Sequence, residues 1–107
     1  MFRIWIGNLG KYNEGELVGE WVTLPCEDFD KVFERIGISD EPIDGVYYEE
    51  IFIADYENDF GYAVGEYDDL DELNEVAEAL ENLTSDEQEI YEALMDEGFE
   101  HDIALKL

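Results

Sequence analysis

Positive charge is what this sequence has least of. Five Lys and Arg stand against 31 Asp and Glu in 107 residues, giving a net charge of −26, and residues 36–105 contain no Lys or Arg at all. So depleted a surface excludes direct binding to nucleic acid or to an anionic membrane, both of which need Lys/Arg patches. The partners it admits are basic proteins and cations. Cysteine is almost as scarce: Cys26 alone cannot close an internal disulfide, which fits a reducing compartment. With one histidine, His101, and one cysteine, the chain lacks the converging side chains that zinc binding or nucleophilic catalysis requires. No cofactor or metal is expected, and no enzymatic activity. Long apolar runs are missing too. Met1-Phe2-Arg3-Ile4-Trp5-Ile6 breaks at Gly7-Asn8, too short for a signal-peptide core, and nothing approaches the ~20 residues of a membrane span. A cytoplasmic protein is expected.

What is present argues for a folded chain. Acidic sequences of this charge are usually disordered, because repulsion opposes compaction and little apolar surface offsets the chain entropy. Here 46% of the residues are hydrophobic and 14% aromatic, so a core is available. Solubility alone would need only a fraction of this charge.

Phe2 to Leu9 and Leu17 to Leu24 are rich in β-branched and aromatic residues, and the polar stretch Gly10 to Glu16 between them has the composition of a long hairpin loop. Pro25 ends the second strand. Asp28 caps an expected short helix carrying Phe29, Val32, Phe33 and Ile36, closed by Gly37. Turn residues through Asp44-Gly45 precede an expected third strand from Val46 to Tyr56, which would complete a β-meander. From Asp68 the period becomes helical: Leu70, Leu73, Val76, Ala77, Leu80 and Leu83 recur every three or four residues. A last helix is expected after Thr84, with Ser85 and Gln88 as its capping box, Ile90, Leu94 and Met95 as its apolar side, and Gly98 followed by Phe99 as its stop. The expected fold is therefore α+β: a small three-stranded antiparallel sheet with one short helix over residues 1–60, then an acidic helical lobe over residues 61–107.

Calcium is the first chemistry that so many carboxylates bring to mind. Asp55 through Glu66 loosely resembles an EF-hand loop, but Gly61 falls at the seventh position, Phe60 holds the sixth where the glycine belongs, and a strand precedes it. Asn82-Leu83-Thr84 matches a glycosylation sequon, which has no meaning without secretion. More informative is the helix from Asp68 to Leu83. Charged helix faces are ordinarily solvated and mix signs, since Glu–Lys pairs at i, i+4 add stability. This one repeats a single sign. Three or four helical residues advance ~4.5–6 Å, comparable with the spacing of phosphates along a DNA strand, which rises ~3.4 Å per nucleotide. Duplex DNA carries one charge per ~1.7 Å, so the net charge equals that of roughly 13 base pairs, about 44 Å.

Asn8-Leu9-Gly10-Lys11-Tyr12-Asn13-Glu14-Gly15-Glu16-Leu17-Val18-Gly19, followed by Trp21, closely resembles the opening motif of the ArdA antirestriction proteins. Ile53-Ala54-Asp55-Tyr56-Glu57, then Glu66-Tyr67 and Glu72-Leu73-Asn74, is similar to that family's next segment in the same order. Together they span roughly the first three-quarters of the chain. The resemblance implies a protein of a mobile element or phage that imitates bent B-form DNA and blocks type I restriction–modification enzymes, with a β-rich lobe leading into an acidic helical one. Family members continue into a C-terminal lobe that contributes to dimerisation; this sequence stops at Leu107, so the resemblance does not carry a homodimer over to it as an expectation.

The partner expected is thus the basic DNA-binding surface of a host restriction–modification enzyme. Asp69, Asp71, Glu72, Glu75, Glu78 and Glu81 are the leading phosphate mimics, with Asp86, Glu87, Glu89 and Glu92 as a second row. The residues from Asn8 to Gly19 are expected to shape the hairpin rather than touch the target. Two alternatives use the same composition: an inhibitor of another nucleic-acid-binding defence protein, and a salt-adapted acidic domain. Cation binding is a weaker third.

Overall fold

A computed structural model describes residues 1–39, 41–42, 45–46, 48–98 and 101. Strand β1 (Phe2–Asn8) alternates as its sequence demands, Phe2, Ile4 and Ile6 being fully buried and Arg3 and Trp5 half-exposed on the opposite face. It lies at the centre of the sheet. Strands β2 (Gly19–Thr23) and β3 (Ile51–Asn58) flank it, both antiparallel to it, in the order β2-β1-β3.

This order corrects the expected meander. In a meander β3 would pair with β2, but residues 24–50, including helix α2 (Phe29–Arg35), carry the chain to the other edge of β1. The result is a β–α–β unit split by an inserted antiparallel strand. β1 takes the middle because its apolar residues and its Gly7 and Asn8 end are buried, whereas β2 is short and leaves Trp21 and Thr23 exposed.

A second correction concerns Gly10 to Glu16. Instead of an irregular loop, Leu9–Asn13 forms a short helix, α1, so the β-rich part has two short helices rather than one. The cause is Asn8. Its side-chain oxygen accepts from the Lys11 amide at 3.0 Å, capping α1, while its Nδ2 donates to the Ile36 carbonyl at 2.9 Å, tying down the end of α2. Asn8 is fully buried. Gly19 fits beside it because a Cβ there would lie 2.3 Å from the Ile6 carbonyl oxygen and 2.5 Å from the Trp5 ring.

β3 also starts later than its composition indicates. Tyr48 leaves the strand path, packs on Gly10 and donates its hydroxyl to the Glu14 carboxylate at 2.6 Å, so regular pairing begins only at Ile51. The expected turn residue Asp44 and the contact of Phe99 lie outside the described residues. Helix α2 follows expectation: the Asp28 side chain accepts from the Asp30 amide, Val32 and Ile36 are buried, and Gly37 takes a positive φ of 82°.

Helices α3 (Leu70–Glu81) and α4 (Ser85–Asp96) complete the described chain. Leu73, Ala77, Leu80 and Tyr91 join Phe2, Ile4, Ile6, Leu24 and Val32 in one continuous apolar cluster. A polar clasp adds to this contact: Asn74 on α3 accepts from the Cys26 amide at 2.9 Å and donates to the Cys26 carbonyl at 2.8 Å. The molecule is elongated, 52 × 24 × 17 Å, with a radius of gyration of 16.0 Å, against about 13 Å for a compact domain of this length.

Candidate functional site

Helix α3 advances 100° per residue, so its outward row follows from its buried one. Leu73, Ala77 and Leu80 face the core, and Asp71, Glu75 and Glu78 therefore fall within about 60° of arc on the opposite side. All three are exposed. Glu72 and Glu81 flank the row and are exposed as well. Successive members of the row are ~6 and ~4.5 Å apart along the axis.

Asp69 occupies a different place. It is the N-cap of α3, and its Oδ1 accepts from the amides of Asp71 at 2.8 Å and Glu72 at 3.2 Å. In α4 the cap is Thr84 rather than Ser85, and the reciprocal partner is Glu87 rather than Gln88. The Thr84 hydroxyl accepts from the Glu87 amide at 3.2 Å, and a Glu87 carboxylate oxygen accepts from the Thr84 amide at 3.0 Å. These bonds, chiefly that from the Thr84 amide, hold the Glu87 carboxyl below its ordinary range. Asp69 and Glu87 thus belong to the helix termini as well as to the acidic surface.

Asp86 and Glu89 project from α4 on the side away from buried Tyr91, and Glu92 is half-buried. Asp96 and Glu97 were not among the expected mimics. They are exposed and extend the outward side of α4 by two turns beyond Glu89. The signal was available in the sequence, since both share the helical period of Asp86 and Glu89.

Among the described residues, every Lys and Arg lies in the sheet region, on β1 or on the short helices α1 and α2. Every ion pair among the described residues lies within residues 1–59: the N-terminal ammonium with Asp59 at 2.9 Å, Arg3 with Glu57, Lys11 with Glu16 at 3.7 Å, and Arg35 with Glu20 at 2.8 Å. Lys11 also sits 4.6 Å from the centre of the Tyr48 ring. Hydrogen bonding to Tyr48 raises its ammonium pKa, and the Glu14 carboxylate raises that of the Tyr48 hydroxyl. The Asn8–Gly19 segment is thereby built into the scaffold through Asn8, Gly10, Lys11 and Gly19.

Among the described residues no group of three His, Cys, Asp or Glu is placed to hold a metal ion, the Asp55–Glu66 segment included. No described helix is long and apolar enough to cross a membrane. The antirestriction protein (ArdA) family matches the chain over residues 4–105, which takes in α3 and α4 as well as the motif-bearing sheet. No curated protein matches the chain.

Proposed function

The chain belongs to the ArdA antirestriction family, and we propose that it acts as a non-catalytic, stoichiometric inhibitor that occupies the DNA-binding site of a type I restriction–modification enzyme by presenting the charge of a duplex. The observation that carries this reading is the linear density of uncompensated charge. Its 26 net negative charges are distributed over a length of 52 Å, about one per 2 Å, against one per ~1.7 Å for duplex DNA. That length corresponds to ~15 base pairs, or ~30 phosphates, and the chain has 31 acidic residues.

Carboxylates on α3 and α4 would accept charge-assisted hydrogen bonds from the Arg and Lys that otherwise hold phosphates. Asp71, Glu75 and Glu78 form the main row, with Glu72 and Glu81 on its flanks. Asp69, Asp86, Glu87, Glu89 and Glu92 add to the same field. The sheet region, where Arg3, Lys11 and Arg35 are paired with carboxylates, serves as the mount. A salt-adapted domain gains nothing from an elongated shape or from leaving residues 36–105 without a single Lys or Arg.

The test is competition. Added to a purified type I enzyme, the protein should inhibit DNA modification and cleavage, excess duplex should restore both, and inhibition should weaken steeply between about 50 and 200 mM salt. A complex in which enzyme, duplex and this protein coexist without mutual interference would refute the proposal.

A further inference from the structure

Three of the exposed apolar side chains of the sheet region come together. Tyr12, Leu17 and Tyr56 are 54%, 69% and 39% exposed, and all three line one open depression of about 460 Å³ at the outer edge of β3. Phe52 forms part of its wall, packed against Tyr12 with ring centroids 5.1 Å apart. Asp55 and Glu66 stand at the same depression, and among the described residues no Lys or Arg lines it. One oxygen of Asp55 accepts from the Tyr56 amide at 2.8 Å, which fixes that carboxylate where the strand bulges away from its regular register. The Glu66 backbone is held to the strand by the Ile53 amide at 2.8 Å.

We infer that this depression is a socket for one arginine side chain of the partner protein, a contact separate from the carboxylate rows of α3 and α4. The chemistry selects the occupant. Aromatic faces exposed beside carboxylates, in a molecule of strong negative potential, attract a cation, and the planar, weakly hydrated guanidinium can stack on a ring while its N–H groups reach a carboxylate. A lysine ammonium keeps its hydration shell and offers no plane to stack. The role in inhibition rests on the charge-mimic reading; the recognition of arginine does not.

The experiment therefore has two arms. In the first, the protein is titrated with acetyl-Gly-Arg-Gly-amide and with its lysine and citrulline analogues, followed by nuclear magnetic resonance. The arginine peptide should shift resonances of Tyr12, Leu17, Phe52 and Tyr56 and bind several-fold tighter there than the lysine peptide, and the citrulline peptide should leave those resonances unmoved. Equal responses to arginine and lysine, or shifts spread along α3 and α4 only, would overturn the inference. In the second arm, Tyr12→Leu with Tyr56→Leu, which keep bulk at partly exposed positions, should reduce inhibition of the enzyme about tenfold while leaving its salt dependence and the circular dichroism unchanged. Unaltered inhibition by the folded double variant would overturn the role in partner binding. If the wild-type protein fails to compete with duplex yet the arginine peptide still fills the socket, the charge-mimic reading falls and arginine recognition stands.

Discussion

Replacing the five exposed carboxylates of the α3 surface, as Asp71→Asn, Glu72→Gln, Glu75→Gln, Glu78→Gln and Glu81→Gln, separates collective mimicry from a discrete anchor. Each is solvent-exposed, so each contact should contribute the ~0.2–1 kcal/mol of a surface ion pair. Taken singly, the changes should alter potency by less than about fivefold. Together, at a mid-range value each, they should cost about 3 kcal/mol, roughly a hundredfold. Folding should survive with little net change, because relief of repulsion is offset by the loss of the favourable interaction of Asp71 and Glu72 with the positive N-terminus of α3. Asp71/Glu75 at i, i+4 and Glu72/Glu75, Glu75/Glu78 and Glu78/Glu81 at i, i+3 are like-charge neighbours, each destabilising by ~0.2–0.5 kcal/mol, and none touches Leu73, Ala77 or Leu80 in the core. The assay is inhibition of a type I enzyme across the single and combined variants, with thermal melts by circular dichroism beside it. Intact inhibition in the five-fold variant would refute α3 as the mimic face. Complete loss from any one substitution in a folded protein would refute collective action.

The caps should respond to geometry rather than charge: Asp69→Ala should lower stability by about 1 kcal/mol, whereas Asp69→Asn, still a good N-cap, should cost little, and equal melting temperatures for the two would show that the cap is idle. Asn8→Ala should cost about 2 kcal/mol or more, since it orphans the Ile36 carbonyl and the Lys11 amide in a buried setting; a shift of under half that in a urea titration would contradict the double role of Asn8. Burial pushes the Tyr91 hydroxyl up to about 12. Its folded value exceeds its unfolded one, so the native state holds the proton longer, and the associated stability is present below about pH 10 and lost as pH rises toward 12. Urea denaturation across that window should show the decline, and Tyr91→Phe should reduce it, leaving the part that comes from Tyr48.

Much of this architecture was legible wherever one local pattern sufficed. Asp28 and Gly37 mark both ends of α2, and the leucine period of α3 identifies its buried side and hence its charged one. Where two local patterns competed, the sequence was ambiguous: Thr84–Glu87 and Ser85–Gln88 both satisfy a capping box, and the ionised Glu87, better matched to the positive helix N-terminus, takes the position. Strand order was not legible, because alternation reveals that Ile51 to Asn58 is a strand but not which edge of β1 it reaches after residues 24–50. Helix α1 was missed for a related reason. Its five residues carry no amphipathic stripe, and its cap, Asn8, is the last residue of a strand. Of the acidic surface, the period revealed the outward rows, but not that Asp69 and Glu87 would also close helix ends. The aromatic depression drew on Tyr12, Leu17, Phe52 to Tyr56, Val64 and Glu66, positions that no single period connects.

The clasp between Asn74 and Cys26 divides helix α3 into two regimes of tolerance. Along the outward row, Asp and Glu can replace one another, because a field depends on where charge lies and only weakly on which carboxylate supplies it. Asn74 has no such freedom: its amide must offer both a donor and an acceptor to one backbone segment, and neither Asp nor Glu can do so when ionised. Leu73, Ala77 and Leu80 in the core set the phase of α3, and the clasp holds it against the smaller rotations that would tilt Glu75 and Glu78 off the surface they now share. One neutral side chain thus helps to hold the phase of the charged ones, so divergent copies of this protein should drift freely between Asp and Glu at positions 71, 75 and 78 while holding position 74 still.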